Sequence, residues 1–402
     1  MDFNIEYFEN ENIQIVKRKA NGCISLTDEE INQKYASGEV RIVTEQARYP
    51  LDTIPSMLKS GKYILMPEFQ RRHRWSQEQQ SRLIESFIMN IPIPPIFLYE
   101  VDYSLYEVMD GLQRLTAIKE FYEDKFALKN LEYWRELEGM KYSQLPKDVK
   151  RGIDRRYISS IILLKETSKS VEQEKELKQL VFERLNSGGT KLEYQESRNA
   201  LYPGEFNTLC VKLSCNEYFC KIFKIPAHRY GGNVSTKLEK NSMYSKMKDV
   251  ETVVRFFAMR FLDSFDMPLK NFLDSVTEKC NSLDKSVLNQ YEKLFNDTIK
   301  LAYDIFGEKA FGMWKKGKGE LQYSSTSNLF LFDPVMLVLS SMLNEKDQLI
   351  NAKKSINEGI KQLQEKYPIL SDGRKNTKAD IKQRVEIFHD YFNTFIKCYV
   401  QH

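Results

Sequence analysis

A short polar segment, Asp110 to Arg114 (DGLQR), carries residue types that are well suited to binding an anion. A glycine permits close approach of the backbone to a ligand, and an arginine guanidinium can hold a phosphate through two charge-assisted hydrogen bonds. A carboxylate such as that of Asp110 can position the segment or polarise water and a metal ion. The segment therefore predicts a phosphate-binding site around Arg114.

Alternating and helical spacings predict that this segment joins a strand to a helix. Tyr106 to Met109 has the pattern of a strand, and the apolar residues from Leu115 to Tyr122 recur at helical spacing. The unpaired amides and the dipole of a helix's first turn attract phosphate. The same junction also occurs as an ordinary capped turn, with Asp110 as the cap and Arg114 in solvent.

A second polar turn, Phe69 to Trp75 (FQRRHRW), places three arginines and a histidine between two aromatic residues. Runs of charged residues that lie in solvent rarely contain two aromatic residues, so this turn beside DGLQR favours a binding pocket over an ordinary capped turn. We therefore hypothesise that Gln70, Arg71 and Arg74 face the same pocket as Arg114.

One helix and two strands complete this region. Ser76 and Gln79 form a capping box, so a helix should begin directly after Ser76 and continue until Pro92 stops it. Pro95 to Glu100 is rich in bulky apolar residues, and with Tyr106 to Met109 it predicts a β-hairpin.

Two further helices meet at a polar, glycine-containing junction. Val171 to Asn186 has helical apolar spacing and precedes a glycine pair, which predicts a helix with a glycine stop. Thr190 and Glu193 form a second capping box, and Glu196 and Asn199 then share one face of the next helix. Such a junction can serve architecture as well as function, because helix ends often carry these residues.

Together these motifs resemble the N-terminal domain family of GmrSD-type, modification-dependent restriction enzymes. The matching segments are PEFQRRHRW, PIPPIFLY, YEVMDGLQRLTAI and FERLNSGGTKLEYQESRNAL, in the family's order over roughly residues 40 to 205. That family resembles in turn the ParB/sulfiredoxin-like fold. The resemblance therefore implies an α+β, ParB/sulfiredoxin-like N-terminal domain.

The resemblance also implies a ligand and a role. Family members are taken to bind and hydrolyse a nucleoside triphosphate with Mg²⁺, and so to license cleavage of modified or foreign DNA by a separate HNH nuclease. The implied catalytic residues are Asp110, Gln113 and Arg114. The implied binding residues are Gln70, Arg71, Arg74, Gly111, Arg184, Asn186, Gly188, Glu196, Arg198 and Asn199. The family usually has Gln where Leu112 stands, so binding is implied more firmly than hydrolysis.

An HNH nuclease centre is not recognisable in this chain. Such a centre needs a histidine base and metal ligands. The four histidines are His73, His228, His389 and His402, and no pair of them has the required spacing. We therefore expect that this chain alone is not a nuclease and that a separate HNH-type subunit cuts DNA. The alternative function is a non-hydrolysing, ParB-like DNA-binding clamp or scaffold.

The composition is that of an ordinary globular chain. It has 402 residues, 42% hydrophobic and 12% aromatic, and a formal net charge of only +4, so any DNA surface must be local. Basic stretches occur at Lys147–Arg156, Lys315–Lys318 and Gly373–Arg384.

Six cysteines without a C-x-x-C pair favour free thiols over a zinc site. The acidic N-terminal segment without an apolar run predicts a cytoplasmic protein. A homo-oligomer is possible, since the sequence does not determine the oligomeric state.

Strand-like segments end near Pro203–Gly204. We predict a nucleotide-binding domain over residues 1–203, with its core at about 40–203, and an all-α domain over residues 204–402. In the second domain, Asn328 to Leu343 should form a buried helix with Asp333 as its cap. Phe256 should lie in the core, with Arg255 beside it at a buried edge or a pocket.

Overall fold

The computed structural model describes residues 3, 5–11, 13–15, 26–37, 42–65, 75–167, 171–187, 193–316, 321–324, 326–371 and 377–399. These residues pack as two compact units. The sheet unit lies within residues 21–192, and the helical unit joins the described part of residues 1–20 to residues 193–402. The predicted α+β class is confirmed, whereas the likeness to ParB and sulfiredoxin stays a prediction.

The sheet unit surrounds one mixed sheet. Its strands are β1 (Thr44–Pro50), β2 (Tyr63–Ile64), β3 (Ile96–Asp102), β4 (Leu105–Asp110) and β5 (Tyr157–Leu163). Its helices are α1 (Asp28–Ser37), α2 (Ile54–Lys59), α3 (Gln77–Ile88), α4 (Leu112–Tyr122), α5 (Lys147–Asp154) and α6 (Val171–Ser187). The strand order is β1-β5-β3-β4-β2. Strands β3 and β4 form the predicted antiparallel hairpin, while β5 runs parallel to β3 and β2 runs parallel to β4.

The capping box predicted for α3 is confirmed. Gln79 N–H donates to Ser76 Oγ at 3.3 Å, and Ser76 N–H donates to Gln79 Oε1 at 2.9 Å. The end of α3 differs from the prediction, because the helix stops at Ile88, before Pro92 is reached. Asn90, with φ of +59°, turns the chain there in the left-handed conformation that often terminates helices.

The core of the sheet unit lies between the sheet and helices α3 and α4. Ile84 of α3, Ile96 of β3, and Leu115 and Ile118 of α4 are fully buried in it. Burial of a large aliphatic side chain stabilises a fold by about 1.5–3 kcal/mol. This packing therefore fixes α4 firmly against the strand hairpin that precedes it.

The helical unit contains twelve described α-helices and one small sheet. The helices are α7 (Tyr194–Leu201), α8 (Glu205–Leu213), α9 (Glu217–Phe223), α10 (Thr236–Glu239), α11 (Ser242–Ser245), α12 (Lys248–Met259), α13 (Leu269–Cys280), α14 (Lys285–Phe306), α15 (Leu329–Ser341), α16 (Lys346–Asn351), α17 (Lys353–Lys366) and α18 (Lys378–Tyr399). The sheet pairs β6 (Met313–Lys316) with β7 (Leu321–Ser324). The predicted helical second half is thus confirmed, with this hairpin as an addition. The predicted border near Pro203–Gly204 lies one helix after the division between the units, because α7 belongs to the helical unit.

Helix α15 corrects the prediction for Asp333. The helix begins at Leu329, so Asp333 and Pro334 lie inside it and Asp333 is not a cap. The Asp333 carboxylate accepts hydrogen bonds from both Nε and Nη2 of Arg255 on α12, and both side chains are nearly buried. Phe256 is 1% exposed, so its predicted core position is confirmed.

A short N-terminal segment belongs to the helical unit. Glu11 is 4% exposed, and its carboxylate accepts hydrogen bonds from Arg260 Nε at 2.8 Å and from the Tyr291 hydroxyl at 2.7 Å. This network joins Glu11 to residues 249 and 280 positions further along the chain, so no local pattern indicates it. Among the described residues, no helix is long and apolar enough to cross a membrane.

Candidate functional site

Gly111 turns the chain from β4 into α4. Its φ is +97°, a left-handed conformation that favours glycine. A Cβ atom here would lie 2.4 Å from Cγ2 of Ile96, so only glycine lets the backbone approach β3 this closely. Because Gly111 is the N-cap and has no side chain, it caps none of the first amides of α4. The predicted strand-to-helix junction is therefore confirmed, with a helix end of the kind that attracts anions.

The guanidinium of Arg114 folds back onto Asp110. Arg114 Nη2 donates to Asp110 Oδ2 at 2.7 Å and to the carbonyl oxygen of Pro95 at 3.2 Å. The Asp110 side chain is 43% exposed, whereas that of Arg114 is 15% exposed. The arrangement differs from an ordinary capped turn, because Gly111 occupies the cap position and Arg114 lies mostly out of solvent.

Arg114 retains donors that a ligand could use. Among the described residues, its two hydrogen bonds to protein both come from Nη2, and its buried Nε has no hydrogen-bond partner. Leaving a buried donor unsatisfied costs about 1–3 kcal/mol. A phosphate or carboxylate beside the first turn of α4 could recover part of this cost.

Gln113 joins the start of α4 to the entry of α3. Gln113 Oε1 accepts a hydrogen bond from the backbone N–H of Trp75 at 3.2 Å. Trp75 is the last residue of the FQRRHRW turn, so the end of that turn meets DGLQR. The candidate residues Gln70, Arg71 and Arg74 lie outside the described residues, and their orientation toward Arg114 stays a prediction.

Comparison with known proteins identifies the domain that contains this junction. Residues 54–203 match the family model for the N-terminal domain of the GmrSD restriction endonuclease. This segment belongs to that family. The match confirms the resemblance stated from the sequence motifs, and it places the domain among components of restriction systems. No curated protein and no solved structure matched the chain.

Leu112 stands where the resemblance stated from the sequence predicts a glutamine. Its side chain is 9% exposed and packs in the core of the sheet unit. An amide at this place would lose its contact with water, at a cost of about 1–3 kcal/mol if no partner replaced it. The side chains that remain for a ligand at the junction are those of Asp110, Gln113 and Arg114.

The GmrSD N-terminal domain also includes α6, which carries two candidate binding residues near its end. Arg184 is exposed on α6, while the side chain of Asn186 and the whole of Gly188 lie outside the described residues. Helix α6 is attached to the strand that leads to Asp110, because Lys178 forms a salt bridge with Glu107 of β4. Arg184 and Asn186 thus belong to the same unit as the junction.

The remaining candidates lie on α7, in the helical unit. The sequence predicted a capping box of Thr190 and Glu193. Instead the helix begins at Tyr194, and Glu193 N–H donates to Glu196 Oε2 at 3.1 Å. Thr190 lies outside the described residues. Glu196 is 3% exposed, and its second carboxylate oxygen has no hydrogen-bond partner among the described residues.

Arg198 and Asn199 are buried in polar contacts within the helical unit. Arg198 Nε donates to Asp274 Oδ1 at 2.8 Å, and its Nη1 donates to Gln195 Oε1. Gln195 Nε2 in turn donates to Asn199 Oδ1 at 2.9 Å. Arg198 and Asn199 are each 1% exposed, so these contacts hold α7 within its own unit. Their role toward a nucleotide stays a prediction.

Metal and thiol chemistry receive no support within the described part of the chain. There, no group of three or more His, Cys, Asp or Glu side chains could hold a metal ion. Cys210 and Cys280 are free and buried, and burial raises the pKa of both thiols well above its ordinary value. Such thiols are poor nucleophiles, because the thiolate is the reactive form.

Proposed function

We propose that this chain is a nucleotide-dependent sensor or specificity subunit of a restriction or anti-phage defence system. In this proposal the GmrSD N-terminal domain binds a nucleoside triphosphate with Mg²⁺ at the β4–α4 junction and hydrolyses it. Hydrolysis then licenses a separate HNH-type nuclease to cut DNA, while this chain alone leaves DNA intact. The observation that carries the proposal is the Asp110–Arg114 pair at the uncapped start of α4.

The charges at the junction explain why Mg²⁺ belongs to the ligand. The start of α4 and Arg114 attract phosphate, whereas the half-exposed Asp110 carboxylate repels it. Mg²⁺ is usually held by one or two carboxylates together with substrate phosphates. Mg²⁺ carried by the nucleotide would neutralise Asp110 and release Arg114 to the phosphate.

The other candidate residues have distinct roles in this proposal. Gln113, which already contacts Trp75, is the candidate for orienting the attacking water. Gln70, Arg71 and Arg74 supply further hydrogen-bond donors. Together with Arg114 they provide more cations than one triphosphate needs, and the surplus arginine contacts DNA phosphate. Stimulation of hydrolysis by DNA should then fall steeply from roughly 50 to 200 mM salt, because phosphate contacts depend on salt.

A non-hydrolysing DNA-binding clamp or scaffold is the second candidate function. It is favoured by Leu112, which is buried where the family usually has glutamine. A family position that packs in the core supplies no group to position water. A clamp would bind nucleotide, with Arg114 contributing to the affinity, and would release no phosphate from it.

Phosphate release by the purified chain distinguishes these functions. We would measure it with Mg²⁺ and each of the four ribonucleoside triphosphates, with and without modified and unmodified DNA. The sensor function predicts release from at least one nucleotide, stimulation by DNA, and loss of release in Arg114→Ala. The control Arg82→Ala removes an exposed arginine of α3 and should retain release. Nucleotide binding without release would indicate the clamp, and absence of binding would overturn both.

A further inference from the structure

A cavity of about 250 Å³ lies in the helical unit beside the β6–β7 hairpin. Five aromatic rings line it, from Phe306, Phe311, Trp314, Tyr323 and Phe388. Its volume lies just below the range of about 300–1,000 Å³ that is typical of small-molecule sites. The cavity is therefore suited to a flat ligand of one or two rings.

A hydrogen bond holds the Tyr323 ring in place, and the Trp314 ring packs against it. The Tyr323 hydroxyl donates to the carbonyl oxygen of Lys309 at 2.5 Å, and the ring lies so close to Gly312 that a Cβ there would be 2.0 Å from the hydroxyl oxygen. The backbone N–H of Trp314 donates to Gln364 Oε1 at 2.8 Å, which fixes the chain at the base of this side chain. The Trp314 and Tyr323 rings meet edge to face, with centroids 5.3 Å apart. These walls are thus preorganised.

Two amide side chains give the cavity a polar edge. Gln364 is 5% exposed, and its Oε1 is engaged by Trp314, whereas its Nε2 donates to no described residue. Asn357 Nδ2 donates to the carbonyl oxygens of Ile305 and Lys353, both at 2.7 Å, and its Oδ1 accepts from no described residue. These two lining residues therefore carry one donor and one acceptor that have no partner among the described residues. A ligand acceptor near Gln364 Nε2 would satisfy a nearly buried donor.

Two lysines place positive charge beside this site. Lys361 Nζ lies 5.2 Å from the centre of the Trp314 ring, and the exposed Lys309 lines the cavity. Among the described lining residues none is acidic. A neutral ring that is attached to a polyanion would match both the cavity and its surroundings.

From these features we propose that the cavity binds one nucleobase of an unpaired DNA strand. The rings stack on the faces of the base, the amides bond to its polar edge, and the lysines lie near the flanking phosphates. Aromatic stacking platforms combined with cationic surfaces are how proteins commonly hold single strands. The inference rests on the proposed function only in naming DNA as the partner, because the cavity lies in a different unit from the DGLQR junction.

The test compares two fluorescently labelled strands of equal length, one with bases and one abasic, in titrations with the full chain. The abasic strand keeps the phosphate charge and lacks the rings. We expect the base-containing strand to bind about tenfold or more tightly than the abasic one, as stacking of a base on aromatic side chains predicts. Equal affinity for the two strands would overturn the proposal.

Variants of the lining residues test whether the preference for the base-containing strand arises in the cavity. Ile360→Trp fills the space, and Gln364→Glu keeps the acceptor for Trp314 N–H while removing the Nε2 donor. Both should lose the preference for bases, while the control Ile350→Trp, at a half-buried isoleucine of α16, should keep it. Thermal melting shows whether each variant is folded. If Ile360→Trp does not fold, the result for Gln364→Glu decides the test.

Two further readouts separate the alternatives. Free deoxynucleosides at the same concentration of base should compete poorly, and competition equal to that of the strand would overturn the assignment to DNA. Retention of the preference in both folded cavity variants would also overturn it. Basal phosphate release without DNA should be unchanged in Ile360→Trp, so the failure of this inference is distinguishable from the failure of the nucleotide site.

Discussion

Arg114 Nη2 lies 2.7 Å from Asp110 Oδ2, across the glycine that turns β4 into α4. The Asp110 side chain is nearly half exposed, and such ion pairs contribute only about 0–1 kcal/mol to stability. The pair therefore holds the Arg114 guanidinium in place, while the fold depends little on it. Substitutions at this pair should change ligand binding more than folding.

Gly111→Ala should destabilise the protein more than a matched glycine substitution. Gly139 also has a positive φ, of +80°, but a Cβ there would meet no atom within 4 Å. Both variants strain the backbone by about 1–2 kcal/mol, and Gly111→Ala must also displace Ile96, at a further cost of about 1–3 kcal/mol. Denaturant unfolding of both variants measures the difference. Equal losses in the free energy of unfolding would mean that the close approach to β3 is unimportant.

Leu112→Gln should lower stability and leave phosphate release no higher. The buried leucine would be replaced by an amide that lacks a partner, which costs about 1–3 kcal/mol. Leu112→Met, which keeps an apolar side chain of similar size, is the control and should cost less than about 1.5 kcal/mol. Unfolding curves and phosphate release are measured together. Increased release at unchanged stability would show that position 112 acts on the nucleotide.

The stability contributed by Glu85 should disappear in acid. Burial works to raise the pKa of this carboxyl, but backbone N–H groups of Trp134, Tyr133 and Glu132 donate to it and hold its pKa below the ordinary value of 4.5. A depressed folded-state pKa means that the contribution is complete above pH 4.5 and falls as pH drops through the folded-state value.

Comparison with Glu85→Gln tests this pH dependence. The variant should be less stable than the wild type at pH 7 by about 1–3 kcal/mol, since its amide cannot replace all the carboxylate contacts. The gap should narrow as pH falls below 4.5. A gap that is constant from pH 7 to acid would rule out a charged Glu85 as the source.

Arg198→Ala should act on stability first. Arg198 is buried against Asp274, and breaking a buried pair by removing one partner costs about 3–5 kcal/mol. A double-mutant cycle with Asp274→Ala should give a favourable coupling energy between the two side chains. Additive losses, together with weaker nucleotide binding by a stable Arg198→Ala variant, would instead favour a ligand role for Arg198.

The elements that the sequence predicted well are those with local signals. The capping box of α3, the β3–β4 hairpin and the DGLQR junction each depend on residues within a few positions of one another. The two-residue strand β2 and the β6–β7 hairpin are too short for a clear alternation. Asp-Pro is common at helix starts and therefore predicts a cap at Asp333, whereas the actual partner of Asp333, Arg255, lies 78 residues away.

Parts of the candidate site could not be predicted for the same reason. The bond between Gln113 and Trp75 spans 38 residues, and the contact of Gly111 with Ile96 depends on the strand register. The spacing of Glu196, Arg198 and Asn199 gave no sign that α7 belongs to the helical unit. Spacing identifies which residues share a face, whereas the packing of that face is a property of the whole chain.

Calorimetric titration of nucleotide with Mg²⁺ into Arg114→Ala tests the central claim most directly. A charged hydrogen bond to phosphate contributes about 1.5–3 kcal/mol, so the variant should bind nucleotide more weakly by that amount while its unfolding free energy stays within about 1 kcal/mol of the wild type. Arg82→Ala, which removes an exposed arginine of α3, should bind like the wild type. Unchanged nucleotide affinity in a folded Arg114→Ala protein would contradict a nucleotide site at the β4–α4 junction.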